Sequence, residues 1–241
     1  MMNDSRSYEK ELLDLGPAFY TKEEYDDCLR QLGRIGRYLG GDRASLKSFG
    51  QFPVPNSILD VGCGGGQFTI LLGKSYPKAK VEGVDISYEA ITFAKSRLEE
   101  KAQHNVTFTH SSSPELDYAP DSFDAVTATL VCHHLNDEDL ITFLKSSYRI
   151  AKQSIVINDL HRHPAAYYSF SLISRLLFPN RLIHHDGLLS IKRSFKRNEW
   201  IEYLRAAEIP VEHCKITWHW PFRWMVTIDT SSKSYNGSSP P

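Results

Sequence analysis

The residues with the clearest chemical meaning form a glycine-rich turn in the first third of the chain. An apolar run from Ile58 to Val61 leads into the turn from Gly62 to Gly66, and a second apolar run ends in Asp85. Glycines let the backbone approach a ligand in conformations that other residues resist. A helix that begins at the turn offers amides to an anion, and an acid at the end of the second strand can accept hydrogen bonds from ribose hydroxyls. The pattern predicts a site for an adenosyl cofactor.

The glycine spacing decides which adenosyl cofactor fits. A dinucleotide-binding turn has glycine at its first, third and sixth positions, but counting from Gly62 the sixth position is Gln67. Asp60, two residues before the turn, suits a ligand with a cationic amine. S-adenosylmethionine has such an α-ammonium, together with an α-carboxylate that suits the helix amides. We therefore predict S-adenosylmethionine as the cofactor rather than NAD.

Residues 56–160 resemble the core of the class I S-adenosylmethionine-dependent methyltransferases, with the ubiquinone/menaquinone-type small-molecule branch as the nearest match. The resemblance rests on the turn at 60–66, on Asp85, and on the segment from Ser122 to Leu135. It implies cofactor contacts for Asp60, Gly62, Cys63, Gly64, Gly66, Asp85, Ile86, Ser112 and Leu130. Among these, Asp85 would bind the ribose and Ile86 the face of the adenine. The family has an acid for the adenine amine where this chain has serines, so Ser112 is expected at the adenine edge.

Two pairs of histidines follow predicted strands, His133 and His134 after one strand and His161 and His163 after the next. The carboxyl ends of parallel strands open onto the ligand crevice. Histidine also titrates in the range useful for deprotonating a phenol or an enol. His133 and His161 are therefore the candidate catalytic residues. The candidates for contact with the acceptor are His134, His163, Tyr167 and His185. Structural roles for these side chains stay open, as packing beneath the cofactor or capping of a loop.

The segment after residue 160 is interpreted as an inserted lid. The apolar stretch from Pro164 to Leu177 predicts a helix that walls off an apolar acceptor, although plain core packing or contact with a membrane surface stays open. Residues 181–193 are predicted to form a loop that turns at Gly187. The run from His184 to Asp186 lacks the spacing of a metal site, because adjacent residues seldom point the same way. No metal is expected.

Composition restricts the function classes. The chain has 241 residues, of which 41% are hydrophobic, and a formal net charge of -1, so no global charge favours nucleic acid or an anionic membrane. Its four cysteines are dispersed and form no disulfide or metal spacing. No secretory segment and no apolar run of membrane-spanning length occur in the sequence. We expect a cytoplasmic protein with a small-molecule partner, without nucleic acid, and with peripheral membrane contact and oligomeric state left open.

Strand and helix patterns alternate along the chain, which predicts a parallel sheet with helices on both faces. Strands are predicted at 57–62, 80–85, 105–109, 123–130, 154–159, 211–217 and 223–229, and helices at 20–39, 66–76, 87–103, 137–152, 164–177 and 198–207. Gly40 and Gly41 are expected to end the first helix, and Pro53 and Pro55 mark a linker before the first strand. The resemblance makes the last two strands the antiparallel pair of a Rossmann-like, seven-stranded mixed sheet of the α/β class. The predicted domains are an N-terminal helical cap over 1–52, a methyltransferase domain over 53–229 with an inserted lid at about 160–195, and a disordered tail over 230–241.

The expected activity is methyl transfer from S-adenosylmethionine to a small aromatic or lipid-like acceptor of the phenol or quinol type, at carbon or oxygen. Two alternatives stay open. One is a methyltransferase for RNA or protein, and the other is a subunit that binds the cofactor without turnover.

Overall fold

A seven-stranded sheet forms the centre of the computed structural model, which describes residues 5–101, 103–111, 113 and 116–233. The strand order is β3-β2-β1-β4-β5-β7-β6. The strands are β1 (Ser57–Val61), β2 (Lys80–Asp85), β3 (Val106–His110), β4 (Phe123–Thr129), β5 (Ala151–Leu160), β6 (Cys214–His219) and β7 (Arg223–Asp229). β1 to β5 are parallel, and β7 is antiparallel to both β5 and β6. The predicted Rossmann-like mixed sheet is therefore confirmed.

Helices cover both faces of the sheet. They are α1 (Lys22–Tyr38), α2 (Gly41–Phe49), α3 (Gln67–Ser75), α4 (Tyr88–Glu99), α5 (Asp137–Ile150), α6 (Pro164–Leu177), α7 (Arg181–Arg193) and α8 (Arg197–Ala206). Neighbouring residues of β1 point to opposite faces, because side chains alternate along a strand. Ile58 packs with Phe68 in one apolar layer, whereas Leu59 packs with Trp200 in the other. This double burial explains why the parallel strands are almost continuously apolar.

The prediction of a loop over residues 181–193 is wrong, because this segment forms helix α7. The Asn180 side chain caps the helix by accepting a hydrogen bond of 2.9 Å from the Leu182 amide. Gly187 lies within the helix rather than at a turn, and a Cβ atom there would lie 2.5 Å from Phe170 of α6. The glycine is therefore explained by close packing of the two helices.

No helix was predicted between the end of α1 and the linker at Pro53 and Pro55, but α2 begins at Gly41. Gly40 has a φ of 75°, a left-handed conformation that ends α1 and lets the chain turn into α2. Both α1 and α2 lie within residues 1–52, whose role as an N-terminal cap stays a prediction. Helix α1 covers the glycine turn, since a Cβ on Gly65 would lie 3.3 Å from Leu29.

Some predictions concern residues outside the described ranges. Ser112 is one of them, and the predicted disordered tail falls there from residue 234 onward. The domain boundaries stay predictions. Among the helices of the described ranges, none combines the length and the apolar character needed to span a bilayer.

Candidate active site

The glycine turn is fixed by backbone hydrogen bonds at the carboxyl edge of the sheet. The amides of Gly62 and Cys63 both donate to the Val84 carbonyl, at 2.8 and 3.0 Å. Gly62 has a φ of 67°, and a Cβ atom there would lie 2.4 Å from Cγ2 of Val131. Only glycine fits both the backbone conformation and this contact. The turn is therefore pressed against the segment that follows β4.

Three further residues in or near the turn have a left-handed backbone conformation. Gly64 and Gly66 have φ values of 50° and 70°, and Gly66 precedes the first turn of α3. Leu130, after β4, has a φ of 59°, which is rare for a residue with a branched side chain. Its amide donates to the Asn158 carbonyl at 2.8 Å. Burial raises the pKa of the Cys63 thiol, which is therefore neutral.

Asp85 connects the turn to the start of α4. Its Oδ2 accepts a hydrogen bond from the Gly64 amide and its Oδ1 one from the Ser87 amide, each at 2.8 Å. Burial raises the pKa of this carboxyl despite these bonds. The adjacent Ile86 is 66% exposed, so its side chain is available to a ligand. This geometry matches the expected ribose and adenine positions, whose occupancy stays a prediction.

Asp60 is buried at the end of β1 and is 2% exposed. Its Oδ2 accepts a hydrogen bond of 2.6 Å from the Thr69 hydroxyl of α3. Burial raises the pKa of Asp60 to about 7, against the opposing effect of Thr69. The carboxyl is therefore poised between its two protonation states, and a nearby ammonium group would favour the ionised state.

Residues 5–15, which we call the N-terminal strap, cross the same edge of the sheet. Arg6 donates to the carbonyls of Arg193 and Leu135, at 2.7 and 2.6 Å. Asp186 of α7 accepts hydrogen bonds from the amides of Leu12 and Leu13, at 2.9 and 3.1 Å. The strap is therefore attached to α7 and to the turn after β4.

His133 is held by a carboxylate of the neighbouring strand. Its Nδ1 lies 2.7 Å from Oδ1 of Asp159, and its amide donates to Oδ2 at 3.2 Å. Burial alone would raise the pKa of Asp159, but the contact with His133 lowers it. Because Asp159 is ionised, Nδ1 of His133 carries a proton and Nε2 is directed elsewhere. Nε2 lies 3.8 Å from Oε1 of Glu11 in the strap.

The His134 ring also has a carboxylate near each of its two nitrogens. Its Nδ1 lies 2.9 Å from Oδ1 of Asp14, and its Nε2 lies 3.8 Å from Oε2 of Glu11. Burial alone would lower the pKa of His134, but the negative charges of Glu11 and Asp14 raise it to about 9. We call Glu11, His133 and His134 the carboxylate–histidine cluster.

The structure places His161 and His163 beside the β6–β7 hairpin. The Trp218 indole N–H donates to Nδ1 of His161 at 3.2 Å, and the His161 ring lies 4.8 Å from the ring of Trp224. Burial lowers the pKa of His161 to about 4, with the nearby His163 adding to the effect. His163 caps α6, where its Nδ1 accepts a hydrogen bond of 3.1 Å from the Ala165 amide.

The remaining candidate residues lie on α6 and α7. The Lys192 ammonium is 5.4 Å from the centre of the Tyr167 ring. Nδ1 of His185 lies 2.8 Å from Asp186, while His184 bonds through Nδ1 to the Ser174 hydroxyl at 2.7 Å. The side chains of His184 and His185 therefore bond to different partners and do not converge on one point.

Sequence reasoning missed several members of the site. The position of Asp159 at the end of β5, two residues before His161, was a usable signal. Glu11 and Asp14 gave no signal, because they precede every predicted element. Arg193 also belongs to this site, because its Nε donates to the His133 carbonyl at 2.9 Å.

Comparison with known proteins supports the same interpretation. A family model described as a methyltransferase domain matches residues 58–154. The demethylmenaquinone methyltransferase of Lactococcus lactis is 37% identical over 97 residues, which cover 40% of this chain and 38% of the relative. The enzyme of the same name from Geobacillus stearothermophilus is 27% identical over 153 residues, covering 63% of each chain. The chain thus spans less than two thirds of the length of these relatives.

A solved structure shows the same fold. A SAM-dependent methyltransferase from Aquifex aeolicus has a TM-score of 0.63 and 19% identity, with coverage of 85% of this chain and 98% of that one. The family match covers the glycine turn, Asp85 and the segment after β4. Over residues 58–154 the chain is therefore similar to methyltransferase domains, and its fold is that of a solved SAM-dependent methyltransferase.

Proposed function

We propose that the protein transfers the methyl group of S-adenosylmethionine to a small aromatic or lipid-like acceptor, such as a phenol or quinol, at oxygen or carbon. One observation carries the proposal. The glycine turn touches the segment after β4, because a Cβ on Gly62 would lie 2.4 Å from Val131, and His133 follows two residues later. The glycine turn proposed to bind the cofactor and the His133 imidazole, which is bonded to Asp159, therefore lie at the same edge of the sheet.

The proposed cofactor contacts follow the sequence assignments. Asp60, Gly62, Gly64 and Gly66 would hold the methionine part, with Cys63 and Leu130 beside it, Asp85 on the ribose, Ile86 on the adenine face and Ser112 at the adenine edge. The position of Asp85 supports this, since one carboxylate bonds to both the turn and the start of α4. A ribose at Asp85 would direct the sulfonium toward the end of β4.

The reaction breaks the S–CH₃ bond, and its electron pair stays on sulfur, giving the thioether S-adenosylhomocysteine. A lone pair or ring carbon of the acceptor forms the new bond, and the acceptor loses a proton. His133 is the proposed base, because its bond to Asp159 leaves Nε2 as the basic nitrogen. His161 is less suited, because Trp218 donates to its Nδ1 and its pKa is lowered to about 4.

The acceptor class rests on two observations. Relatives are named for demethylmenaquinone, a ring-bearing acceptor with a lipid tail. Helix α6 also exposes a row of apolar side chains, with Leu172 72% and Leu176 82% exposed. We propose that α6, with Tyr167, His163 and His185 nearby, guides an apolar acceptor to the site from a membrane surface, with the protein itself cytoplasmic.

The test supplies the protein with S-adenosylmethionine labelled in its methyl group and with fractionated cell material. We expect label in an apolar small-molecule fraction, together with S-adenosylhomocysteine, and clearly less label at limiting cofactor when Asp85→Ala replaces the wild type. Label in RNA or in protein would support the first alternative instead. Cofactor binding without S-adenosylhomocysteine in any fraction would support the non-catalytic subunit.

A further inference from the structure

We propose that the carboxylate–histidine cluster binds a divalent metal ion of the zinc type. One ligand atom each from Glu11, His133 and His134 lies within 4.8 Å of the others. Both Nε2 atoms are 3.8 Å from a Glu11 oxygen, which exceeds hydrogen-bond length. Oε1 of Glu11 also accepts a hydrogen bond of 2.9 Å from the Ser190 hydroxyl and lies 4.0 Å from Nε of Arg193, whereas in the described part of the chain Oε2 and the two Nε2 atoms have no side-chain hydrogen bond. Two imidazole nitrogens and a carboxylate therefore converge on one point.

The outer contacts of the two rings are those of metal-bound histidines. Each Nδ1 is held by a carboxylate, at 2.7 Å by Asp159 and at 2.9 Å by Asp14. Such partners fix the tautomer and direct the Nε2 lone pair at an ion. Without an ion, Nε2 of His133 either faces the Glu11 carboxylate at 3.8 Å with no proton between them or, if protonated, places a second cationic ring 4.3 Å from that of His134. One ion satisfies both nitrogens and the carboxylate.

The local charge favours a divalent cation. Glu11, Asp14 and Asp159 surround the rings, and the facing cation is Arg193, whose Nη1 lies 3.5 Å from Asp14. Arg6 is left out of this charge balance, because its guanidinium forms a separate ion pair of 3.0 Å with Asp137 of α5. With neutral imidazoles, three carboxylates and one guanidinium leave two negative charges, which a divalent ion balances.

The donor set points to the type of ion. Two imidazoles and one carboxylate are typical of catalytic zinc sites, in which a fourth position stays open, whereas magnesium and calcium prefer oxygen donors alone. The side chain of His134 is 29% exposed and borders solvent, which gives an ion or a ligand a path to the open position. The sequence predicted no metal, because Glu11 enters the site from the strap and forms no spacing motif with the histidines.

A bound metal ion would also restrict the chemical class of the acceptor. The ion would lower the pKa of a hydroxyl bound at the open position, whose proton would pass to solvent along the exposed side of His134, so the site would favour a phenol, an enol or a similar hydroxyl. In that state His133 is a ligand rather than the base. This step rests on the proposed function, whereas binding of the ion does not.

The experiment uses full-length protein without an affinity tag, freed of metal by a chelator and then titrated with Zn²⁺ and with Co²⁺. We expect one ion per chain by calorimetry, a visible Co²⁺ spectrum of a four- or five-coordinate site, and a raised midpoint of thermal unfolding. Glu11→Gln should weaken binding at least about tenfold. The matched control is Glu9→Gln, which changes an exposed acid of the same strap and should bind as the wild type does.

Failure to bind either ion stoichiometrically in the wild type would overturn the proposal, as would equal affinity in Glu11→Gln. The wild-type titration decides the question even if Glu11→Gln does not fold. A parallel titration with S-adenosylmethionine separates the two proposals. Cofactor binding and turnover by the metal-free protein would leave the proposed function standing and overturn the role of the ion in deprotonating the acceptor.

Discussion

Asp85 has two tasks, since it holds the turn and is expected to bind the ribose. Asp85→Ala would leave the Gly64 amide without its partner and remove the acceptor for the ribose hydroxyls. We expect the free energy of cofactor binding to become less favourable by about 1–3 kcal/mol, the scale for a lost buried hydrogen bond. Isothermal titration measures this. Glu99→Ala, at an exposed position on α4, is the control, and equal affinities in the two variants would contradict the assignment.

Asp60 should make cofactor binding depend on pH. Its pKa is raised from the ordinary 3.8 to about 7, so the stability that its protonated form contributes is present below pH 3.8 and lost as the pH rises through about 7. An ammonium beside it favours the ionised form. Below its pKa of about 7, S-adenosylmethionine should therefore release a proton on binding, and well above that pKa it should release none.

Calorimetry in buffers of different ionisation enthalpy counts the released proton. Asp60→Asn should abolish the release, because the amide has no proton to give up in this range. A release that persists in this variant would place the titrating group elsewhere.

The bond between His133 and Asp159 should matter for turnover more than for cofactor binding. We expect His133→Gln to lower kcat by about 10²–10⁴-fold, the usual contribution of a general base. Asp159→Asn should lower it as well, because an amide acceptor no longer stabilises the charged ring. Cofactor affinity should stay within experimental error of the wild type. His104→Gln, which changes an exposed histidine, is the control, and an equal effect there would argue against a specific role.

The packing of α6 on α7 depends on one glycine. Alanine at position 187 would gain up to about 1 kcal/mol in helix propensity, but its Cβ would lie 2.5 Å from the Phe170 ring. We expect Gly187→Ala to lower the free energy of unfolding by about 1–3 kcal/mol, since overpacking outweighs propensity. Urea denaturation measures the change.

A second substitution makes this prediction specific. Phe170→Leu combined with Gly187→Ala should recover part of the loss, which a double-mutant cycle reports as coupling. Gly50→Ala is the control, because Gly50 has a φ of -65° and its added Cβ would approach nothing closer than 3.4 Å. A stabilised Gly187→Ala variant would mean that α6 and α7 are not in contact at this point.

Helices α6 and α7, together with two of the strands, show which elements a sequence pattern can predict. β2, β7 and α6 were predicted with their observed bounds, because alternation and helical periodicity report burial directly. α7 was missed because its His-His-Asp-Gly run is typical of a turn. The reason for Gly187 lies on another helix, so local pattern could not reveal it.

For the molecule as a whole, the sequence predicted the cofactor side of the site better than the acceptor side. The turn and Asp85 are close in sequence and belong to a known motif. The acceptor side is assembled by the strap, in which Asp14 meets His134 across 120 positions. Such contacts have no periodicity, and the strap precedes the regular elements that a pattern can detect. The positions of Glu11 and Asp14 beside the histidines were therefore found only in the structure.

Arg6 should control how firmly the strap holds those carboxylates. Its side chain is 5% exposed, and its guanidinium lies 4.5 Å from the centre of the Phe195 ring while bonding to the Leu135 carbonyl and the carboxylate of Asp137. Lysine cannot reproduce this forked set of donors. We therefore expect Arg6→Lys and Arg6→Ala both to speed amide exchange in the strap, and to lower kcat because Glu11 is no longer held beside His133.

Hydrogen exchange followed by mass spectrometry locates the effect. Exchange should rise in peptides from the strap, including the amides of Leu12 and Leu13, and stay unchanged in β1 and β4, because the sheet core does not depend on Arg6. Lys10→Ala, at an exposed strap position, should behave as the wild type does. If the Arg6 variants exchange no faster than this control, the bonds between the strap and α7 hold the strap without Arg6, and α7 rather than Arg6 controls access to the acceptor side of the site.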